Sequence, residues 1–212
     1  MAMDDFATDE QRVEAMQDWW RRNGMAAIAA VLLALAGIVG WQWWQRQQAA
    51  EAAQASLQFD TVMAALAAGD GEQVRSRGQA LISAHSDTFY ATLAALAIAK
   101  VAVDANDLPA ALSSLDWAAT RTQGSPMYPV VALRAARVLI AAKRYDEAAK
   151  RLDSVTSAAF TVEREDLRGN LALARGDVEG ARAAWVAAVA AGGPSAGLIQ
   201  MKLDNLPPAQ EK

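Results

Sequence analysis

Side chains that commonly carry out chemistry are scarce in this sequence. It contains no cysteine and a single histidine, so thiol catalysis, disulfides and thiolate metal sites are excluded, and a transition-metal site would consist almost entirely of carboxylates. There is no glycine-rich loop ending in Gly-Lys-Ser/Thr that would hold a nucleotide phosphate. We therefore predict a protein that is not an enzyme and needs no metal or other cofactor. His85 is expected near the end of a helix, as a favourable C-terminal charge or a surface residue.

Two motifs that resemble a catalytic or a metal-binding sequence have simpler structural explanations. The run from Gly193 to Gly197 matches the Gly-x-Ser-x-Gly nucleophile turn of hydrolases, which requires a preceding strand and a later histidine. Here an alanine-rich helix is predicted before the run and the histidine lies far upstream, so we expect a loop followed by a helix start. Asp104, Asn106 and Asp107 lack the spacing and terminal glutamate of a calcium-binding EF-hand and are typical of a turn between helices.

The longest apolar segment predicts a transmembrane helix at residues 25–45, after a tail at residues 1–24. No charged side chain occurs from Asn23 to Gln45, and a bilayer core of ~30 Å needs about 20 apolar residues in a helix. Tryptophans flank the segment at the two levels where aromatic rings favour the membrane interface, and we expect them to act as interface anchors in contact with lipid. They are Trp19 and Trp20 before the segment and Trp41, Trp43 and Trp44 after it.

Basic residues set the predicted orientation of this helix. Arg12, Arg21 and Arg22 precede it, whereas only Arg46 follows it before Arg75. Because short basic segments stay in the cytoplasm, we expect the tail on the cytoplasmic side and residues 46–212 on the far side of the membrane. The length of the apolar run and its long acidic leader argue against a cleaved secretory signal.

Small residues within the span form a candidate contact face for another membrane helix. Ala36 and Gly40 lie four positions apart, a spacing that lets two membrane helices approach closely, and Gly37 lies beside them. Such pairs also occur by chance in alanine-rich spans, so chance remains the alternative explanation.

Residues 46–212 contain a repeated helical unit. Alanine-rich helical segments alternate with short turn signals, and no stretch alternates apolar and polar residues for long enough to be a strand. Ala111, Ala148 and Ala181 occupy equivalent places in three copies and lie 37 and 33 residues apart, close to the tetratricopeptide period of about 34. We therefore predict an all-α fold, in which a single N-terminal transmembrane helix is followed by a tetratricopeptide repeat (TPR)-like solenoid of helical hairpins.

The residue types in the repeat have a packing reason. A small pivotal alanine lets the two helices of a hairpin approach, and Leu115, Leu152 or Trp185 one turn later is expected to fill the gap to the next hairpin. Gly169 would give the same close approach in the partner helix of the last repeat. Segments 57–68 and 74–85 are expected to form a first hairpin, and residues 195–206 a capping helix.

A set of short segments, in one order along the chain, is similar to a known family. They are Gln11-Arg-Val-Glu-Ala15, the span ending Gly40-Trp41, a helix starting near Ser56-Leu-Gln-Phe59, Asp166-Leu-Arg-Gly169, Gly176-Asp177, Gly180-Ala-Arg182-Ala-Ala-Trp185 and Met201-Lys-Leu-Asp-Asn-Leu206. Together they resemble the YfgM family, the ancillary subunit of the bacterial Sec translocon. The resemblance runs from about residue 10 to residue 206.

The resemblance implies an inner-membrane protein with a periplasmic TPR-like domain. Its expected partners are Sec translocon subunits, a membrane-anchored periplasmic chaperone of the prolyl-isomerase type, and exported unfolded polypeptides that it helps to pass to periplasmic chaperones. It implies no catalytic residues. Nucleic acid is excluded as a partner on separate grounds, because residues 1–24 carry a net charge of −3 out of −4 and leave the rest of the chain nearly neutral.

The first helix of each TPR-like hairpin usually lines the concave surface, which predicts a partner-binding groove. The groove residues at equivalent positions are Lys100, Arg137 and Asn170, with Leu96, Leu133 and Asp166 one turn earlier. Such a surface would suit an extended or helical peptide, although the same residues could be ordinary solvated helix faces. Two other functions remain open: a scaffold for another envelope assembly, and a stress-response regulator acting through the cytoplasmic tail.

Overall fold

The structure is a computed structural model that describes residues 9–207 of the chain. Residues 1–8, which belong to the predicted cytoplasmic tail, and residues 208–212 lie outside the described part, as do the side chains of residues 9–12, 15 and 27. Within residues 9–207 all regular structure is helical. The α-helices are α1 (Asp9–Ala67), α2 (Gly71–Ala84), α3 (Phe89–Asp104), α4 (Leu108–Arg121), α5 (Tyr128–Ala141), α6 (Tyr145–Asp153), α7 (Thr161–Ala174), α8 (Val178–Ala191) and α9 (Ala196–Asp204), and a 3₁₀ turn at Ala158–Phe160 precedes α7.

The chain divides into two units, Met1–Ala50 and Glu51–Lys212. The first unit includes the apolar part of α1, where every described side chain from Ile28 to Ala50 is exposed. By length and composition, the segment Ile28–Ala67 of α1 is apolar enough to cross a membrane, with a mean hydropathy of 1.4 in its best window. None of that window is buried, so this part of α1 is not a core helix of the described chain.

The expected helix start near Ser56 is wrong, because α1 already includes this residue and ends only at Ala67. The physical reason is local. Residues 41–68 contain neither glycine nor proline, so nothing in that stretch interrupts the backbone hydrogen bonds of a helix.

The second unit is the predicted solenoid of helical hairpins. The C-terminal part of α1 packs against α2 and α3 through a small cluster that includes Val62, Val74 and Val101. The pairs α3 and α4, α5 and α6, and α7 and α8 then follow as hairpins, and α9 packs against α8 as the expected capping helix. The all-α, TPR-like fold predicted from the sequence is confirmed.

Most hairpins turn through the same short motif, a residue with a positive φ followed by an aspartate. Asp70, Asp107 and Asp177 each cap the second helix of a hairpin by accepting a hydrogen bond from a backbone N–H three residues later, at 3.0, 3.1 and 2.8 Å. The residue before each is left-handed, with φ of 57° at Asn106 and 72° and 82° at the two glycines. The turn signals in the sequence therefore mark the hairpins correctly.

The third hairpin keeps the shape of this turn without the capping aspartate. Lys143 adopts the left-handed conformation with φ of 58°, and Arg144 takes the cap position without a capping side-chain bond. Arg144 instead donates hydrogen bonds of 2.6 Å to both carboxylate oxygens of Glu147. These bonds hold the pKa of Glu147 below its ordinary value and place a carboxylate in the first turn of α6, where the helix dipole favours it.

The pivotal alanines lie at the centres of the hairpins. Ala111, Ala148 and Ala181 are fully buried, each four residues after its helix cap. The same position in the first hairpin is occupied by Val74, which is also fully buried. A valine there breaks the alanine pattern, which is why the first repeat is the least regular in the sequence.

The predicted close approach in the last hairpin is present. Trp185 is 2% exposed, and its ring lies against Gly169 so closely that a side-chain methyl at that glycine would overlap the indole. The indole N–H donates to the backbone carbonyl of Asp166 at 3.2 Å, which fixes the orientation of the ring. Gly169 is therefore needed for its lack of a side chain and not for a special backbone conformation.

The two remaining sequence motifs resolve into structural roles. Gly192 and Gly193 turn with positive φ, and Ser195 precedes the first residue of α9, so the hydrolase-like motif is the expected loop and helix start. His85 ends α2, but it is 8% exposed, and the prediction of a surface position is wrong. It is buried because α1 covers it, with Gln58 Nε2 at 3.3 Å from its Nε2 and Glu51 Oε1 at 3.8 Å from its Nδ1.

We expect Gly169→Ala to destabilise the solenoid by about 1–3 kcal/mol, because the added methyl overlaps the Trp185 ring, which is buried and hydrogen-bonded to the backbone. Thermal unfolding of the purified chain, followed by circular dichroism, should show a Tm lower by several degrees. Gly197→Ala is the matched control, since a methyl at this glycine of α9 meets no atom within 4 Å. An equal Tm for the two variants would contradict this packing.

Candidate binding cleft

An open cleft of about 320 Å³ lies between α3 and α5 on the second unit. It brings together Leu96 and Lys100 of α3 with Arg137 of α5, as the groove prediction expects for these residues. Its apolar wall is formed by side chains of α3, α4 and α5. They are Leu96, Ala99, Val103, Leu108, Leu115, Val138 and Ala141.

The rim of this cleft carries an excess of positive charge. Lys100 and Asp104 form an ion pair of 2.7 Å in which both side chains are 59% exposed, so the pair is solvated and contributes little to stability. Arg134 and Arg137 also line the cleft, and neither forms an ion pair within the described part of the chain. We call this site, with its apolar wall and basic rim, the basic cleft.

A second concavity continues from the basic cleft toward α2. It shares Lys100 and Asp104 with the basic cleft and adds Arg75 from α2, with a volume of about 480 Å³. The solvated Lys100–Asp104 pair thus borders both concavities. The basic surface available to a ligand therefore extends over α2, α3 and α5.

The sequence reasoning missed Arg134 and Asp104 because it took only one or two fixed positions from each helix. Arg134 lies three residues before Arg137, and Asp104 four residues after Lys100, so both pairs share a helix face. Adding the residues three or four positions before and after each predicted groove residue, on the same helix face, would have included them.

The other predicted groove residues lie elsewhere. Leu133 belongs to the main core and does not line the basic cleft. Asp166 and Asn170 of α7 both accept hydrogen bonds from Lys202 of α9, at 2.6 and 3.2 Å. The Lys202 ammonium also lies 5.7 Å from the centroid of Trp185. At the end of the solenoid, the predicted groove positions are therefore occupied by the chain itself.

The predicted membrane contacts are all exposed in the first unit. The five flanking tryptophans are between 46% and 68% exposed, and two pairs of them have neighbouring rings, with centroids 6.4 Å apart for Trp19 and Trp20 and 5.2 Å apart for Trp41 and Trp44. Trp43 is the most exposed. On the helix face of Ala36, a methyl added at Gly37 or Gly40 would meet no atom within 4 Å. Their roles as lipid anchors and as a helix contact face stay predictions.

The side chains of the described residues indicate which class of ligand suits this chain. No group of three or more histidine, cysteine, aspartate or glutamate side chains within them is arranged to hold a metal ion. The basic cleft itself combines apolar and cationic side chains with a solvated carboxylate. This combination suits binding of a polypeptide segment, since a groove with few polar contacts and an apolar wall is typical of peptide recognition.

Comparison with known proteins defines the class of the chain. A family model described as a tetratricopeptide repeat-like domain matches residues 17–208. The chain is thus a TPR-like protein, as the spacing of the pivotal alanines predicts. No solved structure matches the chain.

Named relatives give the particular family. A protein of Escherichia coli (strain K12) named "Ancillary SecYEG translocon subunit" is 31% identical over 206 residues, which cover 96% of this chain and 99% of that protein. A protein of Haemophilus influenzae with the same name is 33% identical over 199 residues, covering 93% of this chain and 97% of that protein. The chain belongs to the YfgM family of ancillary SecYEG translocon subunits, and the resemblance seen in the sequence is confirmed.

The ion pair between Asp166 of α7 and Lys202 of α9 can be tested for its contribution to holding α9 at the end of the solenoid. Asp166→Lys should lower stability by about 1–2 kcal/mol, because it replaces a half-buried ion pair by two like charges, and adding Lys202→Asp should restore part of the loss. A double-mutant cycle on Tm or denaturant midpoint measures the coupling. The exposed pair Lys100–Asp104 is the control, with an expected coupling below about 0.5 kcal/mol. Equal coupling in the two pairs would show that α9 is not held by Lys202.

Proposed function

We propose that this chain is a membrane-anchored protein-interaction module of the Sec translocon. The observation that carries the proposal is the basic cleft, an open apolar and cationic groove on an interaction fold. The name shared by the relatives supports the translocon as the assembly to which it belongs. Both the name and the TPR-like fold point to a non-catalytic role.

The proposed topology is a single pass through the inner membrane. Residues 25–45 would cross the bilayer, with residues 1–24 in the cytoplasm and residues 46–212 in the periplasm. The apolar, exposed part of α1 supports a membrane location. The excess of arginines before the span, with Arg21 and Arg22 close to it and Arg46 alone just after it, supports the orientation.

The proposed role of the second unit is to hold segments of exported polypeptides as they emerge and to help transfer them to periplasmic chaperones. A membrane-anchored chaperone of the prolyl-isomerase type is the expected recipient. The open side of the basic cleft supports a weak and reversible contact, because its charged groups are solvated and its apolar wall is small. Anchoring such a module beside the channel would raise its effective concentration for an emerging chain.

The orientation can be tested because the protein has no native cysteine. In intact spheroplasts, a membrane-impermeant maleimide should label Ser113→Cys on α4 of the second unit. Glu14→Cys in the tail should be labelled only after the membrane is lysed. Both positions are exposed, so the difference reports the side of the membrane and not burial. Labelling of the tail in intact spheroplasts would overturn the proposed topology.

The role of the basic cleft is tested by photocrosslinking in the membrane from Val103, which lines the cleft and is 41% exposed. We expect crosslinks to translocating polypeptides and Sec channel subunits. Replacing both Lys100 and Arg137 by glutamate should reduce them about tenfold, since the rim charges are inverted. The control is the same double reversal at Lys143 and Lys150, which are exposed and outside the cleft.

The same experiment separates the proposed function from the scaffold alternative. Crosslinks to cell-wall enzymes or outer-membrane assembly proteins in place of translocon subunits would favour a scaffold of another envelope assembly. Unchanged crosslinks in the cleft variant, with its Tm retained, would overturn the cleft as the binding site.

A further inference from the structure

Two positions recur in the first helices of successive hairpins, and at the end of the solenoid they are in direct contact through Asp166 and Lys202. The first position lies eleven residues before the cap of the hairpin's second helix. The second position is the seventh residue of the first helix in the next hairpin. We call this pair the crossing pair. From the first hairpin to the last, the crossing pairs are Phe59 with Ala95, Leu96 with Arg134, Leu133 with Leu167, and Asp166 with Lys202.

Three of these pairs match in chemistry. Leu133 and Leu167 are both apolar and lie in the main core, exposed by 6% and 1%. Phe59, which is half-buried, and the fully buried Ala95 are likewise apolar. At the end of the solenoid the match is ionic, with Lys202 Nζ at 2.6 Å from Asp166 Oδ1.

The pair Leu96 and Arg134 is mismatched, and this is where the basic cleft opens. Leu96 stands where Asp166 stands in the last repeat, so this position of α3 provides no carboxylate for the Arg134 side chain. Leu96 is itself 6% exposed and lies in the main core. Arg137, one turn further along α5, adds a second guanidinium that has no ion-pair partner among residues 9–207. Asp104, the carboxylate that lines the cleft, forms an ion pair with Lys100, with Nζ and Oδ2 2.7 Å apart.

We infer that the basic cleft selects polypeptide segments in which an acidic side chain is flanked by apolar residues. The ligand carboxylate pairs with Arg134 and Arg137 at the rim, while the flanking apolar side chain packs on the exposed part of the apolar wall, where Val103 is 41% exposed. Charge complementarity favours this occupant, because the rim residues sum to a charge of +2 with three cations and one anion. Bidentate pairing of a guanidinium with a carboxylate makes the contact stronger than the solvated lysine pair beside it. This inference rests on the proposed function and adds the chemistry of the ligand.

The test measures binding of capped peptides to the full-length chain in lipid nanodiscs by fluorescence anisotropy. The probe is a short fluorescein-labelled peptide with an acetylated N-terminus and an amidated C-terminus, containing one glutamate between leucines and otherwise neutral residues. A second peptide has glutamine in place of the glutamate. We expect the acidic peptide to bind about tenfold more tightly at low salt, with the preference shrinking as ionic strength rises.

Substitutions in the protein show whether the preference comes from these two arginines. Arg134→Gln with Arg137→Gln should make the two peptides bind equally, whereas Arg134→Lys with Arg137→Lys should keep part of the preference. Lys143→Gln with Lys150→Gln, outside the cleft, should leave it intact. Retained helicity and Tm of the glutamine variant show that the loss is not unfolding.

The outcomes separate this inference from the function on which it rests. Equal binding of both peptides to the native chain would overturn the inference and leave a peptide-binding cleft in place. Absence of binding by either peptide would overturn both. Tighter binding only when the peptide carries a free C-terminal carboxylate would also overturn the inference, because the selected group would then be a chain end.

Discussion

The close approach of the two helices in each hairpin is the constraint on which the rest of the second unit depends. Ala111, Ala148 and Ala181 are small and fully buried, so the helix axes come together without leaving a cavity. At the last hairpin this approach is matched from the other side by Gly169, against which Trp185 packs. With the hairpins narrow, larger side chains one turn later join each hairpin to the next, and a solenoid of neighbour contacts results.

Much of this architecture follows from local features of the sequence. The turns at Asp70, Asp107 and Asp177 were predictable because a left-handed residue followed by an aspartate stops one helix and caps the next within a few residues. The continuous α1 was not predicted, because the family resemblance indicated a helix start near Ser56. Residues 41–68 contain no glycine or proline that would interrupt a helix there. The absence of helix-breaking residues predicts this helix better than the family resemblance does.

The candidate site was only partly predictable for a different reason. The register of the first helices correctly brought Leu96, Lys100 and Arg137 to one cleft. It could not show that Asp166 and Asn170 would be covered, because that depends on Lys202, which lies more than 30 residues later in the sequence. Contacts between distant residues are set by how hairpins stack, and no periodicity within one helix reports them.

The basic cleft is best understood as an incomplete helix contact. A solenoid gains stability when neighbouring first helices match, and apolar pairs such as Leu133 and Leu167 achieve this by burial alone. The positions held by Leu96 and Arg134 contribute less, because the guanidinium must remain hydrated. The fold tolerates one such contact since the other hairpin interfaces are well packed. Solvated arginines give weak binding to any one ligand, and a tether that raises the local ligand concentration makes weak binding sufficient. The anchor and the mismatched contact are therefore complementary parts of one proposed mechanism.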